Sequence, residues 1–350
     1  MSIAPRGMSI QEAYRMYADG MLIINRKYQR KLVWTVAEKQ NLVDSILIDL
    51  PIPLILLAQH KGTKQLEIID GLQRLNGIFS FMENHFQTKG GDYFDINENS
   101  RVKQRNESEV FSIPDYLTVK LLNSKSCANF LDYQLAVTVY PTASESEITE
   151  IFGRINSGGK QLSFQDRRQA GVVDAFADIV RKLSSEIRGD ISRELLNLQD
   201  MPEISIGSQN DNIRYGLKAE DIFWCKNGIL LSKQLRDSED EEMVADILVS
   251  ILQNEAFGKS REKLDDIYNS GSELNKDINA KLSTYGEEKL LGEVKIVLSV
   301  LRSTIEEGAP GVSFKNIVNK GSKNPVKASF YTVFMAFFTL LIKEEKIALK

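Results

Sequence analysis

The chain has 350 residues, 42% hydrophobic and 26% charged, with a formal net charge of −4, the balance of a soluble globular protein with room for two domains. Its two cysteines, Cys127 and Cys225, and its two histidines, His60 and His85, are widely separated; this argues against a disulfide framework, a zinc site, a histidine-metal nuclease and Ser-His-Asp chemistry. The net charge does not announce a nucleic-acid binder, although "NRKYQRK" (25–31) gathers Arg26, Lys27, Arg30 and Lys31 into a local basic patch, while "DSEDEE" (237–242) is acidic and reads as a solvated loop.

The N-terminal residues lack an apolar signal-peptide core, which makes the cytoplasm the expected location. "MLIIN" (21–25) reads as a strand. "WTVAEKQNLVDSILIDL" (34–50) reads as a helix opened by a capping box, Thr35 with Glu38, carrying Leu42, Val43, Ile46 and Leu47 on one face and ended by the prolines of "PIP" (51–53). "LILLA" (54–58) and "QLEIID" (65–70) form a hairpin around "QHKGTK". "EIIDGLQRLNGIFSF" (67–81) passes from strand to helix through a turn crowded with Asp70, Gly71, Gln73 and Arg74.

Residues 84–110 are polar and read as an inserted loop region. "YQLAVTVY" (133–140) is the clearest strand, rich in β-branched and aromatic residues. "SESEITEIFGRIN" (144–156) reads as a helix with Ser144 and Glu147 as its capping box; a Gly-Gly loop follows, and Ser163 with Asp166 can open the next helix. Beyond 171 helical patterns recur near 172–197, 214–235, 240–257, 284–306 and 326–347. No apolar run is long enough to span a bilayer, and "FYTVFMAFFTLLI" (330–342) reads as a buried helix. The expectation is an α+β domain over 1–170 and an all-α domain over 171–350.

The strand-to-helix turn carries the chemistry. N–H groups at a helix start are unpaired and carry partial positive charge, a glycine lets a ligand approach the backbone, and an arginine in the first turn offers a charged fork to phosphate oxygens. A carboxylate there repels anions, so Asp70 fits best as a holder of a metal ion or of an attacking water. The plain alternative, left open by these residues, is that Asp70 caps the helix and Arg74 makes a surface ion pair. Tyr28, Gln29, Arg30 and Trp34 follow the first strand. Arg154, Asn156, Ser157, Gly158 and Gly159 form a loop able to offer N–H groups to an anion.

"YQRKLVW", "LVDSILIDLPIPLILL", "IIDGLQRL" and "FGRINSGGKQLSFQDRRQA" occur in the order and spacing of the GmrSD restriction-endonuclease N-terminal domain family, which the sequence resembles over residues 8–170. Leu72 departs from that family's Asp-Gly-Gln-Gln-Arg turn, while Asp70, Gly71, Gln73 and Arg74 match it. The resemblance implies a small ParB/sulfiredoxin-like α+β domain with a mixed sheet that binds, and often hydrolyses, a nucleoside triphosphate with Mg2+, in bacterial defence against phage and restriction of modified DNA. Carried over, Asp70, Gln73 and Arg74 are the catalytic residues, with Asp70 also the metal ligand. Gly71, Tyr28, Gln29, Arg30, Arg154, Asn156, Gly158 and Gly159 bind the nucleotide.

The His-rich nuclease domain of many relatives is missing, so cutting falls to a separate subunit or to the ParB-like domain itself. Expected partners are therefore an NTP, DNA and a nuclease or defence-system subunit, with homo-oligomerisation open and no membrane. Two competing readings are a ParB-like DNA-binding protein or nickase without nucleotide turnover, and a catalytically silent module that docks a partner.

Overall fold

The computed structural model describes residues 5–26, 31–60, 62–115, 118–143, 147–148, 151, 163–169, 172, 174–190, 194–201, 203–205, 216–257, 261–308, 310–321 and 323–344. The chain divides into two compact units, one of residues 1–155 with 193–217 and one of residues 156–192 with 218–350.

The first unit is built on a six-stranded mixed sheet: β1 (Arg6–Ser9), β2 (Leu22–Asn25), β3 (Ile55–His60), β4 (Leu66–Asp70), β7 (Gln134–Ala143) and β8 (Leu195–Asn197), in the order β1-β7-β3-β4-β2-β8. A separate short pair joins β5 (Asp92–Tyr93) to β6 (Lys120–Leu121). The β3–β4 hairpin expected from the sequence is antiparallel, and β7 runs parallel to β3 with Ile55 opposite Val137. β8 pairs antiparallel with β2, Ile24 opposite Leu196, within a stretch whose pattern reads as helix. Three residues are too few to show a period of two, and the preceding helix Ala175–Arg188 stops earlier, at Gly189 with φ +76°.

Helix α1 (Ile10–Ala18) starts on Ser9, whose Oγ accepts from the Glu12 N–H. α2 (Val36–Leu47) carries the capping box read from the sequence, Thr35 with Glu38. It ends before the prolines. Asp49 takes a left-handed φ of 57°, and the N–H groups of Asp49 and Leu50 close on the carbonyls of Ile46 and Ser45 at 3.0 and 2.8 Å, so a backbone cap terminates the helix rather than Pro51. α3 (Leu72–Met82) buries Leu72, Leu75, Ile78, Phe79, Phe81 and Met82, nearly its whole circumference, as a central helix must. Its rings meet Tyr14 and Tyr17 of α1, and Phe130 of α5 (Ser124–Asp132).

The polar stretch 84–110, read as loop, contains α4 (Ser100–Glu107), capped by Asn99. Its single buried apolar residue, Val102, gives no helical period; what holds it is Arg105, which bonds Glu83 at 3.0 Å and Gln199 at 2.9 Å and lies over the Tyr17 ring. Tyr14 donates to the same Glu83 carboxylate at 3.0 Å.

The second unit is helical. Trp224, Phe314, Phe330 and Phe334 form its aromatic centre. The helix Lys327–Phe338 buries one stripe, Phe330, Phe334 and Phe338, rather than all of its apolar surface. Arg188 is fully buried and shared by Asp190, Asp240 and Glu241. Among the described residues no helix is long and apolar enough to cross a membrane.

Candidate functional site

The strand-to-helix turn owes its shape to Ile69, Asp70 and Gly71. Between Leu56 and Leu57 the β3–β4 register shifts, so that Leu56 faces Asp70 while Leu57 faces Ile68. The irregularity re-aims the end of β4, as bulges do. Gly71 then takes φ +102°, a conformation disfavoured for any residue with a Cβ, and a Cβ there would stand 3.0 Å from Ile55 Cγ1. Glycine is needed at this position to turn the chain against β3.

Gly71 is also the N-cap of α3. It supplies no side-chain cap, so Asp70 does not play the capping role that the plain reading assigns it. The other half of that reading is realised: Arg74 Nη2 donates to Asp70 Oδ2 at 2.8 Å, and the same nitrogen donates to the Leu54 carbonyl at 2.8 Å. The two ends differ in access, with the Asp70 side chain 42% exposed and that of Arg74 15%. Arg74 Nε is buried with no hydrogen-bond partner among the described residues. A one-point, half-exposed pair of this kind adds only about 0–1 kcal/mol to stability.

Gln73, expected among the catalytic residues, directs its amide at the backbone. Its Oε1 accepts from the N–H groups of Val33 at 3.1 Å and Trp34 at 3.2 Å, and its Nε2 donates to the Lys31 carbonyl at 2.8 Å. Three of the four hydrogen bonds available to a glutamine amide are thus filled by the backbone of Lys31, Val33 and Trp34. Leu72, which replaces the family's first glutamine, is 7% exposed and belongs to the core.

Of the other expected site residues, Tyr28, Gln29, Arg30, Arg154, Asn156, Gly158 and Gly159 lie outside the described residues. The helix expected over 144–156 also falls mostly outside them. The basic patch is reduced from the surface inward: Arg26 and Lys31, two of its four cations, are buried.

The end of the fourth motif, "SFQDRRQA", serves the second unit. Helix Phe164–Gln169 buries Gln165, Arg168 and Gln169. Arg168 bonds Asp265 at 2.6 Å and Glu242 at 3.1 Å, while Gln165 and Gln169 both donate to the Tyr268 hydroxyl. Their spacing at i, i+3 and i+4 marks one helix face, which is the signal that could have identified them as buried. Also unanticipated is the contact between His60 Nε2 and Glu67 Oε2 at 2.5 Å, which gives a fully buried carboxylate a partner.

Among the described residues no group of three or more His, Cys, Asp or Glu is arranged to hold a metal ion. Asp70 stands as a single accessible carboxylate. That suits Mg2+, which commonly takes one or two carboxylates and completes its shell with phosphate oxygens and water.

A search of curated proteins returns no match for the chain. Residues 10–173, a little under half of the chain and including the whole turn just described, match the family model for the GmrSD restriction endonuclease, N-terminal domain.

Proposed function

We propose that this chain is a nucleoside-triphosphate-dependent component of a restriction system, in which the turn at the start of α3 grips the triphosphate and nucleotide state governs engagement of DNA and of a separate nuclease subunit. The observation that carries the reading is the turn itself. Within the family-matched segment, a long helix begins on a glycine without a side-chain cap, with an arginine in its first turn and an accessible carboxylate at the strand end. Unpaired N–H groups, the helix dipole and a guanidinium together favour a polyanion.

Arg74 binds phosphate oxygens in this reading, and Asp70 holds Mg2+ and orients the attacking water. The cation supplies charge neutralisation of the phosphate oxygens when bound. Gln73 keeps its place as a positioning residue, because its amide is already engaged.

A thermal-shift screen with ATP, CTP, GTP and UTP in the presence of Mg2+ tests the reading. A ligand at a hundred times its Kd stabilises the folded state by about 2.7 kcal/mol, so at least one nucleotide is expected to raise the melting temperature of the wild-type chain. Arg74→Ala is expected to abolish that shift, and phosphate release is expected to vanish in both Arg74→Ala and Asp70→Ala. Absence of a shift with all four nucleotides would overturn the proposal.

A further inference from the structure

Asp70 lies against the guanidinium that the triphosphate reading assigns to phosphate. The guanidinium reaches Asp70 Oδ2 and the Leu54 carbonyl through one nitrogen, Nη2, at 2.8 Å each. Its Nε is buried and finds no acceptor among the described residues. A carboxylate that truly satisfied this arginine would take the two-nitrogen fork. The present contact leaves half of the fork idle. It also cancels the arginine's charge at the place where charge is needed.

We propose that the Asp70–Arg74 pair is a latch: Asp70 competes with phosphate for Arg74, and the turn holds a triphosphate more tightly when Asp70 is drawn away. This rests on the triphosphate reading of the turn. The exposure of the two side chains, 42% for Asp70 and 15% for Arg74, gives the latch a direction. The carboxylate can be approached from solvent, while the guanidinium lies beneath it. With its carboxylate engaged by a divalent cation, Asp70 no longer opposes Arg74, whose Nη2 is then free to turn to phosphate oxygens. Without the cation, the latch holds and the turn binds a bare polyanion more weakly.

The test compares binding of a fluorescent nucleoside triphosphate by anisotropy, in EDTA and in Mg2+, for the wild-type chain, Asp70→Asn, Arg74→Ala and the double variant. Asp70→Asn keeps the size of the side chain and removes its charge. It is expected to bind the nucleotide in EDTA about fivefold tighter than the wild type, the Kd equivalent of releasing one partly exposed ion pair. Mg2+ is expected to close the gap. The gain is expected to disappear when Arg74 is alanine, which separates release of Arg74 from a general effect of removing one negative charge. Asp49→Asn, a charge change at an exposed position whose φ of 57° asparagine tolerates, is expected to leave the EDTA affinity unchanged.

Equal or weaker binding by Asp70→Asn in EDTA, or a gain that persists without Arg74, would overturn the latch while leaving the triphosphate site standing. Absence of binding by every form in both buffers would overturn the triphosphate reading and the latch with it. Circular dichroism of each variant checks the fold, and Asp70→Ser provides a second neutral side chain should Asp70→Asn misfold.

Discussion

Replacing Gln73 by alanine should loosen the turn. Three hydrogen bonds are lost, to the Lys31 carbonyl at 2.8 Å and to the Val33 and Trp34 N–H groups at 3.1 and 3.2 Å. Each such bond contributes about 0.5–1.5 kcal/mol net, and the segment is only partly shielded, so about 2–3 kcal/mol of stability is expected to go. Gln73→Glu keeps the oxygen that accepts from Val33 and Trp34 but sets its second carboxylate oxygen against the Lys31 carbonyl, so it loses stability as well and is told from alanine by the two amides rather than by its urea midpoint. Urea midpoints measure the totals, and amide hydrogen exchange at Val33 and Trp34 reads the bonds themselves. Protection at these two amides should persist in Gln73→Glu and fall in Gln73→Ala. Unchanged exchange at both amides in the alanine variant would refute the assignment of Gln73 as the staple between α3 and residues 31–34.

Gly71→Ala should cost about 2–3 kcal/mol, because it combines a left-handed φ of +102° with a Cβ 3.0 Å from Ile55 Cγ1; in an Ile55→Ala background the same change should cost less, since only the backbone strain remains, and urea unfolding of the four proteins measures the difference. Burial, followed by the Glu83 charge, raises the Tyr14 hydroxyl above its ordinary value of 10. The folded state therefore keeps a proton that the unfolded chain releases, stability is full below about pH 10 and falls above it, and Tyr14→Phe should show a shallower alkaline decline of its urea midpoint between pH 9 and 11. Burial pushes the thiols of Cys127 and Cys225 up to about 11. Both should react slowly with iodoacetamide at pH 8 in the folded chain and rapidly in urea, as mass spectrometry would record.

Local signals in the sequence led to the elements they describe. The Thr35–Glu38 box lies within four residues and opens α2 as expected, and the β-branched run 133–140 falls on β7 from Gln134 onward. The elements that escaped are those fixed by partners distant in the chain. α4 carries one buried apolar residue and is held by Arg105 through Glu83 and Gln199. β8 is only three residues long and is a strand because β2 offers it an edge. The prolines suggest where α2 ends, whereas Asp49 ends it three residues after Ile46 with a backbone cap that composition does not announce. At the turn, the residue types were legible and their division of roles was not. Neither the bond from Gln73 to residues 31–34 nor the left-handed geometry pressed against Ile55 can be inferred from the four letters alone.

That division bears on how variants of the turn are to be read. Gly71 and Gln73 build it, one by admitting a backbone conformation that a Cβ forbids and the other by tying α3 to the backbone of Lys31, Val33 and Trp34. Asp70 and Arg74 are the charged pair on that scaffold, an accessible carboxylate over a mostly buried guanidinium whose Nε has no hydrogen-bond partner among the described residues. Loss of activity in a Gly71 or Gln73 variant therefore says nothing about catalysis until stability has been measured. A substitution at Asp70 perturbs a weak, half-exposed ion pair, so a large functional loss there is hard to attribute to unfolding, whereas Arg74 also bonds the Leu54 carbonyl and its variants need a stability measurement too. The crowding of an acid, a glycine, an amide and an arginine into one connection follows from two requirements met in the same few residues: a scaffold that fixes the start of α3, and a charged pair mounted on it.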